Sequence, residues 1–324
     1  MLDKILVPLD ESTLAECTLP HVAAIAPAFD SKVTLLHVLE RSDLQEQAQL
    51  DPLDWHLRKA EAQTYLHGIG ARLEEIGLQT ESVLLEGPAA DRVIEYAHEH
   101  DFGLIALSSH GRSGLSGWNV SSVVQKVIHR AYKSILIVRA YQIDKDQDGV
   151  YYRRILVPLD GSQRAESVLP LATRLAQQHQ ADLLIAHVVA RPEMLRRTPL
   201  TPEDNELVER LIERNRTEAA RYFERLQPRL AASAQTRLLV GDNVSGALHH
   251  VAEQEEIDLV MMSAHGYSAD SQRPYGSIVT SFITYGATPL FIFQDLPPQE
   301  IEPTSAEEAV KANGTFSGRK RTNA

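Results

Sequence analysis

The sequence has 324 residues, of which 43% are hydrophobic and 23% charged, and its formal net charge is −12. These proportions are typical of a folded protein with about two domains, and they exclude a chain that is disordered throughout. The acidic balance argues against a nucleic-acid-binding protein, because such proteins present a basic surface that displaces counterions from phosphates.

The first half alternates short apolar runs with longer amphipathic stretches. The apolar runs are rich in Val, Ile and Leu and are predicted to be buried parallel strands over 4–8, 33–38, 82–85, 104–108 and 134–138. Four helices are predicted between them, the first beginning in a capping box at Thr13-Leu14-Ala15-Glu16 and the others covering 52–76, 89–99 and 118–130. A polar stretch, 141–152, is the predicted linker.

The second half repeats this alternation. Strands are predicted over 154–158, 183–189, 236–240, 258–263 and 289–293, and helices over 203–227, 243–255 and 276–286. Residues 295–324 contain three prolines and scattered charge, and we predict a disordered tail there.

An internal duplication is the strongest feature of the sequence. Residues 5–10 recur letter for letter as 155–160. A period near 150 residues is far longer than that of a solenoid and indicates one domain copied. We therefore predict an α/β fold with two doubly wound, five-stranded parallel-sheet domains (Rossmann-like or flavodoxin-like) in tandem, over residues 1–140 and 153–294.

The predicted compartment follows from simple counts. Cys17 is the only cysteine, so an intrachain disulfide is impossible. No apolar run reaches roughly 18 residues, and the first residues lack the pattern of a signal peptide. We expect a cytoplasmic protein without a membrane span.

Distinctive residues lie where the predicted winding reverses, between the first and fourth strands, which is where open sheets bind ligands. Asp10 and Asp160 end the first strands of the two copies. Ser108-x-x-Gly111 and Ser263-x-x-Gly266 end the fourth strands.

The start of the fourth helix differs between the copies. Nine residues after Gly266 comes Gly276-Ser277, and nine residues after Gly111 comes Ser121-Ser122. A helix start offers unpaired N–H groups that suit phosphate, and glycine allows close approach of an anion.

Taken together, these motifs resemble the nucleotide-binding members of the universal stress protein family. Such members have the pattern G-x2-G-x9-G-[S/T], an aspartate at the end of strand one and a His-Val end to strand two. The resemblance covers roughly residues 1–139 and 151–294. It implies a nucleotide-binding set made of Asp10, Val38, Gly87, Ser108, Gly111, Ser121 and Ser122 in the first copy, and Asp160, Val188, Gly241, Ser263, Gly266, Gly276 and Ser277 in the second.

The resemblance also implies roles for these residues. The aspartates would contact adenosine, the two valines would give backbone contacts to adenine, and Gly111 and Gly266 would pass close to ribose and phosphates. Ser122, Gly276 and Ser277 would hold phosphate. Gly87 and Gly241 would border the same clefts.

Both copies depart from the family pattern. Serine replaces the first motif glycine at Ser108 and Ser263, and Ser121 replaces the third glycine in the first copy only. The second copy inserts Arg273-Pro274-Tyr275 before its helix, where the arginine could pair a phosphate or the tyrosine could cover the site. We expect the second cleft to be the better phosphate site.

The resulting functional hypothesis is an ATP-binding or related adenine-nucleotide-binding regulatory protein of the stress response, with or without Mg²⁺. The residues alone leave Asp10 open between ligand contact and capping of the next helix. No P-loop or nucleophile elbow is present, so no catalytic or metal-binding residue is assigned and at most a weak ATPase is expected. The alternatives are a nucleotide-independent interaction or scaffold protein and a slow ATP hydrolase.

The predicted fifth strands, 135–138 and 290–293, would form apolar sheet edges. Proteins normally cover such edges, and the other copy's strand is the simplest cover. We therefore expect an intrachain pseudo-dimer of the two domains, with further dimerisation of whole chains left open.

Overall fold

A computed structural model of the chain describes residues 2–40, 52–111, 120–140, 149–192, 201–230, 234–267 and 274–295. The first half contains β1 (Lys4–Leu9), α1 (Thr13–Glu16), α2 (Thr18–Phe29), β2 (Lys32–Leu39), α3 (Pro52–Glu75), β3 (Thr80–Glu86), α4 (Ala89–Glu99), β4 (Leu104–Ser108), α5 (Ser122–Arg130) and β5 (Ser134–Val138). The second half contains β6 (Arg154–Pro158), α6 (Gln163–Glu166), α7 (Leu169–His179), β7 (Asp182–Ala190), α8 (Pro202–Leu226), β8 (Ala234–Gly241), α9 (Val244–Gln254), β9 (Leu259–Ser263), α10 (Ser277–Tyr285) and β10 (Leu290–Phe293).

The strands form one sheet in the order β3-β2-β1-β4-β5-β10-β9-β6-β7-β8. Within each half all neighbouring strands run parallel, whereas β5 and β10 pair antiparallel, with Leu136 opposite Phe291. The winding reverses between β1 and β4 and again between β6 and β9, which confirms the α/β prediction and the position of the predicted reversal.

Two apolar layers cover the faces of the sheet. Alternate residues of a strand point to opposite faces, so Ile5 and Val7 pack with α2 and α3 while Leu6 packs with α4 and α5. All three side chains are fully buried. Both layers continue into the second half, and they leave the carboxyl ends of the strands as the edge on which a ligand can be held.

The predicted first helix is wrong in its start and its continuity. The N-cap is Ser12, whose side chain accepts a hydrogen bond from the Ala15 amide, so Thr13 does not begin a capping box. The helix also breaks between Glu16 and Thr18, because the Pro20 ring would clash with the carbonyl of Glu16 four residues before it. The same break follows Glu166, four residues before Pro170 in the second half.

Other predicted boundaries shift as well. The fourth helix begins at Ser122 rather than at 118, because Ser121 is its N-cap; residues 118–119 lie outside the described residues.

The predicted linker ends in Tyr152, which is fully buried, and residues 141–148 of it are not described. Asp295, placed in the predicted tail, has a side chain only 3% exposed, and residues 296–324 are not described.

The two halves also meet through buried polar side chains. The Tyr152 hydroxyl is 2.8 Å from Nδ1 of His21 on α2, and Nε2 of His179 on α7 is 2.8 Å from the Ala24 carbonyl oxygen. Arg139, which follows β5, donates hydrogen bonds of 2.8 and 2.6 Å to the carbonyls of Phe282 and Ile283 in the last turn of α10. A cation at that helix end is favourable because the carbonyls there carry partial negative charge.

No helix among the described ranges is long and apolar enough to cross a membrane.

Candidate functional site

Each half has a cleft at the carboxyl ends of its strands, where the winding reverses. The cavity volume is about 450 Å³ in the first cleft and about 130 Å³ in the second. The first is lined by Asp10, Val38, Ser108, Gly111, Ser121 and Ser122, and the second by Asp160, Val188, Ser263, Gly266, Gly276 and Ser277. The structure therefore brings twelve of the fourteen predicted residues into two clefts. Gly87 follows β3 and Gly241 is the last residue of β8; neither is among the described lining residues.

An aspartate and a glycine are in close contact at the base of each cleft. A β-carbon added to Gly111 would lie 2.0 Å from Oδ2 of Asp10, and one added to Gly266 would lie 2.1 Å from Oδ2 of Asp160. No side chain fits at such a distance unless the carboxylate moves away. Glycine at both positions therefore allows the aspartate to stay in contact with the loop.

The other carboxylate oxygen organises the turn that follows the strand. Oδ1 of Asp10 accepts hydrogen bonds from the Ser12 amide at 3.1 Å and the Ser12 hydroxyl at 2.5 Å. Asp160 accepts the equivalent bonds from Ser162 at 2.9 and 2.6 Å. Asp10 therefore does not cap the helix itself; it orients Ser12, which does.

The Gly266 loop is also fixed through its backbone. The amide of Tyr267 donates a 2.6 Å hydrogen bond to Oδ2 of Asp160. A hydrogen bond to an ionised carboxylate is stronger than one between neutral groups. The carboxylate thus holds the strand end and the glycine loop in one arrangement.

The His-Val ends of the second strands have a structural role of their own. Nδ1 of His37 lies 2.7 Å from the carbonyl oxygen of Leu9, and Nδ1 of His187 lies 2.9 Å from that of Leu159. These contacts fix the ends of β1 and β6 just before the aspartates. Val38 and Val188, the next residues, line the clefts.

The serines that replace the first motif glycine are buried at the turn after the fourth strand. The hydroxyl oxygen of Ser108 lies 3.4 Å from the His110 amide, and that of Ser263 lies 3.3 Å from the Ser167 hydroxyl. Serine is therefore accommodated at both positions.

His110 and His265 are buried beside these serines and contact different partners. Nδ1 of His110 lies 3.0 Å from the Ser109 hydroxyl, whereas Nδ1 of His265 lies 2.8 Å from Oδ1 of Asp295. Each contact holds the loop that leads to the motif glycine.

The two phosphate-facing helices begin differently. Ser121 caps α5, with its side chain accepting a 3.3 Å hydrogen bond from the Val124 amide. Gly276 occupies the same position on α10 and makes no side-chain cap. Both residues donate their amide to the turn behind them, Ser121 to Ser109 at 2.9 Å and Gly276 to Ala264 at 2.8 Å. The free amides at the start of α10 favour the second cleft for phosphate.

The Arg273-Pro274-Tyr275 insert is described only from Pro274 onward. Tyr275 is buried in the apolar layer that contains Phe282, and it is not a lining residue of the second cleft. Burial raises the pKa of its hydroxyl. Of the two roles considered for this insert, Tyr275 therefore does not cover the site, and Arg273 lies outside the described residues.

Among the lining residues of the first cleft that sequence reasoning did not predict, three matter most for the chemistry of its rim. Glu40 follows β2, and Trp55 and Arg58 lie in the first two turns of α3. The available signal for Trp55 was its position soon after the end of β2, because the loops and helix starts that follow parallel strands surround the ligand crevice.

Exchanging the two N-caps should exchange the phosphate preference of the clefts. Ser121→Gly removes the cap, should cost a few tenths of a kcal/mol, and should strengthen binding of tripolyphosphate in the first cleft. Gly276→Ser should do the opposite in the second cleft, and its β-carbon fits because it would lie 3.6 Å from the nearest atom, the Ala264 carbonyl oxygen. Calorimetric titration with tripolyphosphate measures both changes. Unchanged affinity in both variants would contradict the prediction.

Fold and site together define a protein with two doubly wound α/β domains, each with a ligand cleft where the winding reverses. The chain belongs to the universal stress protein family: the family model, described as "Universal stress protein family", matches residues 1–139 and again 151–293. The two matches show a tandem member.

Individual curated relatives and solved structures are similar to this chain over about one of its two halves or over nearly all of its length. Universal stress protein MJ0577 of Methanocaldococcus jannaschii is 25% identical over 155 residues, which cover 43% of this chain and 96% of that protein. A crystal structure of a universal stress protein from Archaeoglobus fulgidus covers 91% of this chain and 100% of its own, with a TM-score of 0.62 at 17% identity, and supports the fold. A universal stress protein solved in complex with cAMP is 21% identical, covers 42% of this chain and 96% of its own, and has a TM-score of 0.35.

Proposed function

We propose that the chain is an adenine-nucleotide-binding regulatory protein, with ATP or a related nucleotide as its ligand and the stress response in the cytoplasm as its setting. The observation that carries the proposal is the contact of Gly111 with Asp10, repeated by Gly266 with Asp160, at the reversal point of each half. Duplicated loops held this closely place backbone beside an open cleft, as nucleotide sites require.

The residues of both clefts fit a nucleotide in chemistry, and the first cleft also fits one in size. Asp10 and Asp160 offer carboxylates for ribose hydroxyls, Val38 and Val188 offer apolar and backbone contacts for a base, and the α10 start offers amides for phosphate. Pockets for small ligands are typically about 300–1,000 Å³. The first cleft, with a cavity volume of about 450 Å³, lies within that range, whereas the second, at about 130 Å³, lies below it.

We assign no catalytic step to these clefts. Among the described residues, no group of three or more His, Cys, Asp or Glu side chains is placed to hold a metal ion. Where Mg²⁺ accompanies the nucleotide, the phosphates would supply its ligands together with the lining carboxylates, Asp10 and Glu40 in the first cleft and Asp160 in the second. Binding at the motif glycines and at the starts of α5 and α10 is then the event that acts on a partner.

We further propose that domains over 1–140 and 153–294 act as an intrachain pseudo-dimer. The antiparallel pairing of β5 with β10 and the Arg139 contacts to α10 support this, because a change at the α10 start would reach the first half through the same helix. Coupling of the two clefts would follow from linkage.

Calorimetry tests the proposal directly. Titration of ATP into the full chain should give heat from at least one cleft, and the stoichiometry should fall when a cleft glycine is replaced. Gly68→Ala is the control, because Gly68 is exposed in α3 and a β-carbon there meets nothing within 4 Å. No heat with ATP, AMP or cAMP, together with no nucleotide in the purified protein, would refute the proposal.

One observation favours the nucleotide-independent alternative. Both oxygens of Asp160 already accept hydrogen bonds, from Ser162 and from the Tyr267 amide, so this carboxylate has a structural task without any ligand. Mass spectrometry of the purified protein distinguishes the two functions, because stoichiometric adenine nucleotide would exclude a scaffold with empty clefts.

A further inference from the structure

The first cleft has a wall that the second cleft lacks. Trp55 and Arg58 of α3 line the first cleft together with Val38. No described residue of α8, the corresponding long helix, lines the second cleft. The two halves are therefore unequal at the end of the cleft beside the second strand.

A pair of contacts explains why α3 reaches this cleft. Lys59 forms a 2.7 Å ion pair with Glu86, the last residue of β3, and Glu86 is in register with Leu39 at the end of β2. Trp55 lies four residues before Lys59, one helical turn further along the same face. The ion pair thus sets the first turns of α3 beside the sheet edge.

The second half places a different residue at the position of Trp55. Tyr65 of α3 donates a hydrogen bond to Glu16, and Tyr222 of α8 occupies the equivalent place beside Glu166, where burial and then the Glu166 charge raise the pKa of its hydroxyl; this aligns the two helices with an offset of 157 residues. With this offset Trp55 corresponds to Ile212, which is only 4% exposed and packs into the protein. The aromatic wall is therefore a property of the first half alone.

Charge distinguishes the two rims in the same way. Arg58 is the only Arg or Lys among the described residues that line the first cleft, and the described lining of the second has none. The Glu40 carboxylate on the same rim accepts a 2.6 Å hydrogen bond from the Ala89 amide at the start of α4. That bond holds one carboxylate oxygen of Glu40 against the start of α4. Arg58 is the cationic group of the rim.

We propose that Trp55 forms a base-stacking subsite in the first cleft, with Arg58 as a cationic rim that draws in the phosphates. The subsite takes a purine nucleotide, and Trp55 gives this cleft a preference for ligands that carry a base over phosphate alone. Indole rings stack on nucleobases, and an exposed arginine raises the local concentration of a polyanion. The second cleft, without either residue, recognises its ligand mainly through phosphate. This inference rests on the proposed function and assigns the two clefts different selectivity.

The test uses fluorescence of Trp55 in the full chain. Trp118→Phe leaves Trp55 as the only tryptophan, since the chain has two. AMP should change its emission at saturation, whereas tripolyphosphate, which lacks a base, should change it little. Trp55→Ala should weaken AMP binding to the first cleft about tenfold, and Trp55→Phe should restore most of the affinity.

Two variants separate stacking from charge and from the second cleft. Arg58→Gln should weaken tripolyphosphate and reduce the salt dependence of AMP binding while preserving the emission change. Combining Gly266→Ala with Trp55→Ala removes ligand binding at the second cleft, so that calorimetry reports the first cleft alone. If Gly266→Ala does not fold, the emission of Trp55 in the Trp118→Phe protein still reports the first cleft alone.

The outcomes are distinguishable from those for the proposed function. AMP bound in the first cleft with no change in Trp55 emission, and with equal affinity in Trp55→Ala, would overturn this inference and leave the proposed function standing. Absence of adenine-nucleotide binding to either cleft would overturn both.

Discussion

Replacing Gly266 with alanine is expected to abolish ATP binding in the second cleft and leave the first cleft unchanged, and Gly111→Ala is expected to do the reverse. The added β-carbon would lie about 2 Å from the carboxylate oxygen of Asp160 or Asp10, far inside contact distance. The loop and the carboxylate must therefore separate. The aspartate contact and the backbone path beside the ligand are lost together.

The expected magnitude is at least about tenfold in the affinity of the altered cleft, or about 1.4 kcal/mol. Calorimetry with ATP would show the number of sites falling by one in each single variant and to zero in the double variant. Circular dichroism and urea unfolding check that the fold persists. Gly68→Ala, which adds the same methyl group at an open helix position, should bind as the unaltered chain does. Full stoichiometry in both cleft variants would contradict the proposed sites.

Lowering the pH from about 7 to about 4.5 is expected to remove about 2 kcal/mol of stability through His21. Burial between the two halves lowers the pKa of His21 from 6.5 to about 4. As the pH falls below 6.5, the unfolded chain takes up a proton on this imidazole, whereas the folded chain takes it up only near pH 4. The stabilisation is therefore present above pH 6.5 and is lost progressively down to about pH 4.

Urea unfolding at several pH values measures this loss against a matched variant. His21→Gln retains a group that can bond the Tyr152 hydroxyl but does not titrate, so its stability should depend less on pH in this window. His56→Gln, at an exposed position of α3, is the control and should follow the unaltered chain. Equal pH dependence in all three proteins would show that His21 does not contribute.

Cys17 shows which property of a side chain the sequence predicts and which it does not. One cysteine excluded a disulfide, but its reactivity depends on surroundings that the sequence does not reveal. Cys17 is half-buried at the break between α1 and α2, beside Ser108, and burial raises the pKa of its thiol to about 11. It is therefore protonated, and poorly nucleophilic, at neutral pH.

Local pattern was sufficient for most of the architecture. Apolar runs, their spacing and the repeated LVPLD segment predicted the ten strands, the parallel order within each half and the edge where Asp10 and Gly111 lie. These features depend on hydrophobic periodicity and on the order of the segments, and both can be obtained directly from the sequence. The break before Thr18 could also have been predicted, since Pro20 stands four residues after Glu16. The capping-box pattern at Thr13 instead favoured a helix that begins at that residue.

The sequence by itself determined that this protein consists of two copies of one α/β domain. It also placed a glycine loop and an aspartate at the carboxyl ends of the strands in each copy. Tertiary structure alone decided which distant side chains meet there: Lys59 with Glu86 brings Trp55 to the first cleft, and Tyr152 buries His21 between the halves. The physical reason is that such contacts depend on how separate elements pack and in what register, and no short segment encodes that arrangement. The difference between the two clefts arises in this way from nearly identical motifs.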